Sequence, residues 1–229
     1  MKKTFKKNNY SLIKSAISRE LAIFLYNYFI VKRQVAVVAK KERFVSPYEN
    51  WRIGRFGDPQ VQNNPKTFCI YGTPTFDTLL LLVQPILEKE TGLKLLPTYS
   101  YARLYTKWDV LKRHKDRPEC AFSTTLNLGG DEWPIFLEPK KNIGRPGENG
   151  ATMETTNKGV KINLTPGDLL VYRGDILEHW REPFNGNECG QVFLHFVEAT
   201  ALNKKLLYDG RQCLGVWERP GDIHFTEGL

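Results

Sequence analysis

The 229-residue chain is poor in the residues that build covalent or metal frameworks, with four cysteines, four histidines and two methionines. Cys69, Cys120, Cys189 and Cys213 lie far apart and form no C-x-x-C pair. A secreted disulfide scaffold is denser than this, and a cysteine-rich zinc site needs paired ligands. Buried or free thiols in a reducing cytoplasm are the expected state. Long apolar runs are also lacking. No stretch reaches the roughly 18 apolar residues of a bilayer span. The nearest, Leu21 to Val31, contains Asn27 and stops at Lys32 and Arg33. Lys2, Lys3, Lys6 and Lys7 resemble the basic start of a signal peptide, but Arg19 and Glu20 adjoin the apolar stretch and no small-residue cleavage site follows it. Neither export nor a membrane location is therefore expected. Acid is in deficit, 25 Asp and Glu against 33 Lys and Arg, and the net charge of +8 points to anionic partners without naming their kind.

What is present suffices for a folded domain. Hydrophobic residues make up 41% and aromatics 12% of the chain, enough for a sizeable core. Residues 1–10 are polar and basic and read as a mobile tail. Ser18 can cap a helix running to about Arg33, with Leu21, Phe24, Leu25 and Tyr28 at helical spacing. Val35 to Val38 read as a short buried strand, and Lys40 to Lys66 as a loop broken by Pro47, Gly54, Gly57, Pro59 and Pro65. A second helix is expected over Thr75 to Thr91, capped near Thr73 or Thr75 and closed by Gly92.

After Pro97 the texture changes. Tyr99–Tyr105, Ala121–Leu128, Pro134–Leu137, Gly159–Leu164, Asp168–Tyr172 and Gln191–Val197 read as strands separated by Gly and Pro turns. Many short strands without intervening helices predict an antiparallel sandwich or barrel. Residues 139–160 read as a mobile insertion. The fold expected is mainly β with N-terminal helices (α+β), organised as a helical support over 1–95, a β core over 96–200 and a C-terminal tail over 201–229 packed on that core.

His114 and Asp116 form an H-x-D pair. Residues two apart in an extended segment project to one side, so imidazole and carboxylate can converge on an ion. Alone, the pair reads more simply as a solvated turn within Lys112 to Arg117. His179, after Pro166-Gly167-Asp168 and the apolar run Leu169 to Tyr172, changes that balance. Two histidines and one carboxylate are the facial triad of non-haem Fe(II) oxygenases, although the same ligands can hold catalytic zinc.

From about Tyr99 to Val197 the chain resembles the 2-oxoglutarate and Fe(II)-dependent dioxygenases, particularly the prolyl-4-hydroxylase-like group. The resemblance is carried in order by Arg103-Leu104-Tyr105, His114-Lys115-Asp116, Thr124-Thr125-Leu126-Asn127-Leu128, Thr165-Pro166-Gly167-Asp168-Leu169 and Leu177-Glu178-His179. It covers somewhat under half of the chain. It implies a double-stranded β-helix, or cupin-like jelly-roll, with iron held by His114, Asp116 and His179. It further implies 2-oxoglutarate as cosubstrate, O2 as oxidant, ascorbate as a support, and hydroxylation of an unactivated C–H bond with succinate and CO2 as co-products. Tyr105 matches the tyrosine that often hydrogen-bonds the far carboxylate of 2-oxoglutarate; a core aromatic is the equal alternative.

One position departs from that pattern. The family usually places Arg or Lys on the strand after the distal histidine, and the aligned place here falls near Gln191, which carries no charge. A buried carboxylate needs a cation, so a substitute is required if 2-oxoglutarate binds. Arg181, two residues beyond His179 and on its face if the segment is extended, is the first candidate. His195, inward with Gln191 and Phe193 by alternation, is the second, with a hydrogen-bonded core histidine as the competing reading. His224 in the tail reads as structural or exposed. Trp108, Trp133 and Trp180 flank the site in sequence and could wall a cleft. Arg113, Lys115 and Arg117 read chiefly as solvated turn charge.

Two other functions stay open at this stage. A cupin-like metalloenzyme that does not use 2-oxoglutarate is favoured by the missing cation. A non-catalytic basic nucleic-acid-binding protein would use Lys2 to Lys14 as its arm, but no recognised nucleic-acid motif supports it, so nucleic acid is not the expected partner. A small molecule or a peptidyl residue is the expected substrate, and the oligomeric state is open.

Overall fold

The computed structural model describes residues 4–45, 53–62, 66–140 and 157–216. Strands β1 (Tyr10–Ile13), β2 (Arg55–Phe56), β3 (Phe68–Tyr71), β4 (Leu95–Thr106), β6 (Phe122–Gly130), β9 (Leu169–Tyr172) and β11 (Glu188–Glu198) form a seven-stranded antiparallel sheet in the order β1-β9-β6-β11-β4-β3-β2. Strands β5 (Leu111–His114), β10 (His179–Arg181), β7 (Ile135–Leu137) and β8 (Val160–Ile162) form a second, four-stranded sheet in that order. Apolar side chains join the two sheets: Leu170 and Tyr172 of the large sheet pack with Ile135, Leu137 and Ile162 of the small one. The result is the expected jelly-roll.

Three helices described in full accompany the sheets among the described residues: α1 (Thr4–Asn8), α2 (Arg19–Lys41) and α3 (Pro74–Thr91). Ser18 caps α2 by accepting from the Leu21 amide, as expected. Thr73 caps α3, with Pro74 in the first turn and Gly92 closing the helix at φ 75°, the left-handed value that glycine takes without strain. Both helices cover the outward face of the large sheet, where Leu25, Phe29, Phe76 and Leu80 meet Leu104, Leu126, Leu194 and Phe196.

The structure corrects several expectations. Val35 to Val38 continue α2 to Lys41 rather than forming a strand. Ala22, Leu25, Phe29, Ala36 and Ala39 are buried at helical spacing, so packing of small residues on the sheet overrides the β preference of the valines. At 23 residues α2 is long and apolar enough, by length and composition alone, to cross a membrane, a test that core helices also pass. The tail is not structureless either. In α1, Phe5 is buried and stacks on Phe122 at 6.0 Å, and β1 pairs with β9 from Tyr10↔Tyr172 to Ile13↔Leu169. Strands β1, β2 and β3 all come from the first 95 residues, so that segment completes the large sheet as well as supporting it. Residues 141–156, most of the expected insertion, lie outside the described residues, as do 46–52 and 63–65 of the expected loop and His224. Beyond β11, Leu202–Gly210 forms short helical turns against β4, and buried Arg211 pairs with Asp77 at 2.8 Å.

Candidate metal centre

Strand alternation sorts β4 cleanly. Ala102 and Leu104 face the helices, while Tyr101 and Tyr105 face the interior of the roll. Ser123, Thr125, Gln191, Phe193 and His195 share that interior by register: Phe193 opposes Thr125 and Tyr101, and His195 opposes Ser123. On the small sheet, β5 and β10 pair antiparallel with His114 directly opposite His179, their rings 4.2 Å apart. Both strands are short and set in charged sequence, and the sequence reading assigned neither.

His114, Asp116 and His179 offer ligand atoms that all lie within 4.8 Å of one another, the one such triplet that the described residues form. Each imidazole is fixed at its Nδ1, His114 against the Lys112 carbonyl at 2.6 Å and His179 against the Leu177 carbonyl at 3.1 Å. A carbonyl only accepts, so Nδ1 carries the proton in both rings and Nε2 is free to ligate. Both Nε2 atoms lie 3.5 Å from the same oxygen, Asp116 Oδ1. The other oxygen, Oδ2, accepts from Ser123 Oγ, which also contacts His195 Nδ1 at 3.1 Å. Burial works against the Asp116 charge, but the two histidines outweigh it and hold the carboxyl well below its usual range. Burial, then His179, lowers the pKa of His114. Gly174 also shapes this corner. Its carbonyl accepts from the Asp116 amide at 2.8 Å, and a Cβ there would stand 2.3 Å from Asp116 Oδ2 and 2.5 Å from Ser123 Oγ.

A cavity of about 430 Å³ opens from the triplet. Its aromatic walls are Tyr71, Tyr99, Tyr101, Tyr172 and Phe193, and its charged walls include Arg55, Asp58, Arg103, Lys115 and Arg117. Of Trp108, Trp133 and Trp180, none lines it. Trp108 is exposed, Trp180 stacks on Phe136, and Trp133 lies edge-on to Tyr105 at 4.7 Å.

The four residues expected around a cosubstrate carboxylate are distributed as follows. Arg181 is fully buried behind the cavity wall, its guanidinium over Trp133, donating to the Trp133 carbonyl and to Thr125 Oγ1 at 3.3 Å. Thr125 in turn donates to Gln191 Oε1 at 3.0 Å, so Arg181 and Gln191 share one hydroxyl. Arg181 Nε has no hydrogen-bond partner, and no salt bridge forms to this side chain among the described residues. Tyr105 is buried against the same Trp133, its hydroxyl accepting from Arg103 at 3.1 Å. His195 stands apart, lining the cavity beside Tyr99 at 4.5 Å, and burial pushes its pKa down to about 4. It is therefore uncharged near neutral pH and acts here through Ser123 on Asp116.

Arg103 was not singled out in the sequence, although it precedes Tyr105 by two residues on the same strand and alternation alone places it inward. It donates to Asp58 Oδ2 at 2.9 Å. Burial penalises both guanidiniums, yet the outcomes differ. For Arg103, neighbouring Tyr105, Asp58 and Tyr101 outweigh burial and raise the pKa well above its usual value; for Arg181 burial wins and the pKa falls. Asp58 supplies the carboxylate that Arg181 lacks.

No protein-family model matches the chain, and no curated protein matches it in sequence. Solved structures do match in fold. SnoN, a non-heme alpha-ketoglutarate-dependent epimerase from nogalamycin biosynthesis, superposes with a TM-score of 0.58 at 12% identity, over 86% of this chain and 81% of that one. HygX from Streptomyces hygroscopicus, solved with nickel and 2-oxoglutarate bound, gives 0.55 at 13% identity over 86% and 85%. The viral collagen prolyl hydroxylase vCPH from Paramecium bursaria Chlorella virus-1, in its 2-oxoglutarate complex, gives 0.50 at 10% identity over 83% and 97%. At these identities the likeness is one of fold: this chain has the double-stranded β-helix of the 2-oxoglutarate and Fe(II)-dependent oxygenases.

Proposed function

We propose that the protein is a 2-oxoglutarate-dependent non-haem iron oxygenase, a hydroxylase of unactivated C–H bonds. The observation that carries this reading is the convergence of two imidazole Nε2 atoms on one carboxylate oxygen, with both Nδ1 atoms tied to backbone carbonyls. Two neutral imidazoles and a carboxylate suit ferrous iron and leave coordination positions open for other ligands. His114, Asp116 and His179 would hold the iron. With 2-oxoglutarate and O2 it supplies the oxidising power for hydroxylation, releasing succinate and CO2.

The chain's own residues do the remaining work. Ser123 holds the outer oxygen of Asp116, and His195 holds Ser123. Arg181 is the candidate anchor for the far carboxylate of 2-oxoglutarate, with Tyr105, Thr125 and Gln191 around it. A buried guanidinium without an anion is costly, and a carboxylate is the ligand that relieves it. Tyr172 links the two regions: it lines the cavity, its ring lies 4.7 Å from His179, and both Asp116 and Arg181 act electrostatically on its hydroxyl. The alternative without 2-oxoglutarate drew its support from the uncharged Gln191, and a cation reaching the same hydroxyl from β10 removes that support. Arg103 has one specific observation in its favour as the anchor, since it lines the cavity whereas Arg181 does not.

The test is direct. Purified protein with Fe(II), ascorbate and O2 is expected to convert 2-oxoglutarate to succinate, slowly even without a prime substrate. Absence of succinate from iron-loaded protein would end this reading.

A further inference from the structure

Four cationic side chains line the cavity, Arg55, Arg103, Lys115 and Arg117, against two carboxylates, Asp58 and Asp116. Each carboxylate is already committed, Asp58 to Arg103 at 2.9 Å and Asp116 to the candidate metal site, its outer oxygen accepting from Ser123. Arg117 is neutralised from behind the wall, 3.2 Å from Asp209. Two cations are left over. Among the described residues Arg55 donates only to the Tyr101 hydroxyl at 3.1 Å and to Cys69 Sγ at 3.4 Å. Lys115, between the two ligands of the H-x-D pair, is 4% exposed, yet it forms neither a salt bridge nor a hydrogen bond through its ammonium group with any of the described residues. Its stem is covered, while the ammonium opens onto the cavity and is available to a ligand there.

We infer that this cavity takes a substrate bearing an anionic oxyacid group, a carboxylate or a phosphate, held by Lys115 and Arg55 against the tyrosine wall. The inference rests on the proposed function in one respect: the cosubstrate does not consume these charges. Ferrous iron, Asp116, dianionic 2-oxoglutarate and Arg181 sum to zero, so the surplus of Lys115 and Arg55 remains for a second anion. A volume of about 430 Å³ suits a small molecule. Tyr71, Tyr99, Tyr101 and Phe193 offer ring faces to an apolar or aromatic body.

Matched probes test this on the full chain by calorimetric titration, with and without saturating 2-oxoglutarate. The probes are 3-phenylpropionate, phenyl phosphate and the neutral 3-phenylpropanamide. At least one anion is expected to bind about tenfold tighter than the amide, the worth of one charge-assisted hydrogen bond. Which anion binds tighter separates carboxylate from phosphate. The preference should survive 2-oxoglutarate, vanish in Lys115→Met and return in Lys115→Arg. Because the amide is the internal reference, the ratio reads the charge rather than the fold. Arg55→Ala, at an exposed position, should reduce the same ratio if Lys115→Met proves unstable. Equal binding of acid and amide, no binding of any probe, or an anion preference abolished by 2-oxoglutarate would overturn the inference. Failure of 2-oxoglutarate itself to bind would instead count against the proposed function and leave the anion preference to be read separately.

Discussion

The two faces of the seven-stranded sheet are made from alternate residues of the same strands, yet they follow different rules. On β11, Val192, Leu194 and Phe196 turn outward into apolar contact with the helices, while Gln191, Phe193 and His195 turn inward. The outward face is mostly apolar, with one buried polar contact to the helices, Ser100 Oγ of β4 donating to Asp77 of α3 at 2.6 Å. The inward face buries hydroxyls, an amide, an imidazole and the Arg103 guanidinium, and Arg181 reaches it from β10 of the small sheet; most of these groups are tied to a named neighbour. Stability is concentrated on one side of the backbone and chemistry on the other, and the two-residue period of a strand allows each to vary without the other.

The separation can be broken most sharply at the metal centre. Replacing His114, Asp116 or His179 by alanine is expected to abolish Fe(II) binding by calorimetry together with succinate formation, while the helical signal of the outer layer persists. Retained iron in any of the three would remove that residue from the ligand set. Next in size is the contrast between the two inward guanidiniums. Arg181→Met should raise the KM for 2-oxoglutarate about 100-fold, as for truncation of one partner of a buried charge pair, and Arg103→Met should raise it far less. The reverse ranking would move the anchor to the cavity wall. On the outward face, Leu194→Ala is expected to cost about 2–5 kcal/mol in chemical denaturation with Fe(II) affinity unchanged. A large loss of metal affinity there would show the faces to be coupled.

The smallest effect concerns pH. Burial opposes the Asp58 charge, but Arg103 and Tyr101 hold its pKa below the usual value. A carboxylate depressed in this way stabilises the fold fully above its unfolded pKa, about 3.9, and loses that contribution as pH falls through the folded value. The difference in melting temperature between the parent and Asp58→Asn should stay constant from pH 7 to pH 5 and shrink below about pH 4. A gap that widens on acidification would contradict the pairing.

Much of the inner face was legible because its signals are local. The H-x-D spacing, the run into Leu126-Asn127, and the distal histidine after a Pro-Gly turn can each be read within a few residues. What escaped depends on partners distant in sequence. Lys115 sits in a run with the composition of a solvated turn, and only the folded surroundings of the candidate site bury it. Arg103 was accessible to the alternation argument, but its partner Asp58 sits in a segment without periodicity. Strands β5 and β10, four and three residues long, exist because they pair with each other and β10 also pairs with β7, not through any propensity of Lys112-Arg113 or Trp180. The end of α2 was misjudged for the opposite reason. Its valines prefer strands, and only the small residues between them reveal the surface they lie on.

Gly174 gives the metal centre a vulnerability that no ligand motif records. The space beside Asp116 is kept open by a missing methyl group, with the nearest atoms of Asp116 and Ser123 already inside contact distance of where that methyl would be. A descendant of this chain could preserve every proposed ligand and every core residue and still lose the proposed ion site through a single added carbon. Sorting such sequences by their His-x-Asp and distal His would count that descendant as active. The diagnostic residue is the one without a side chain.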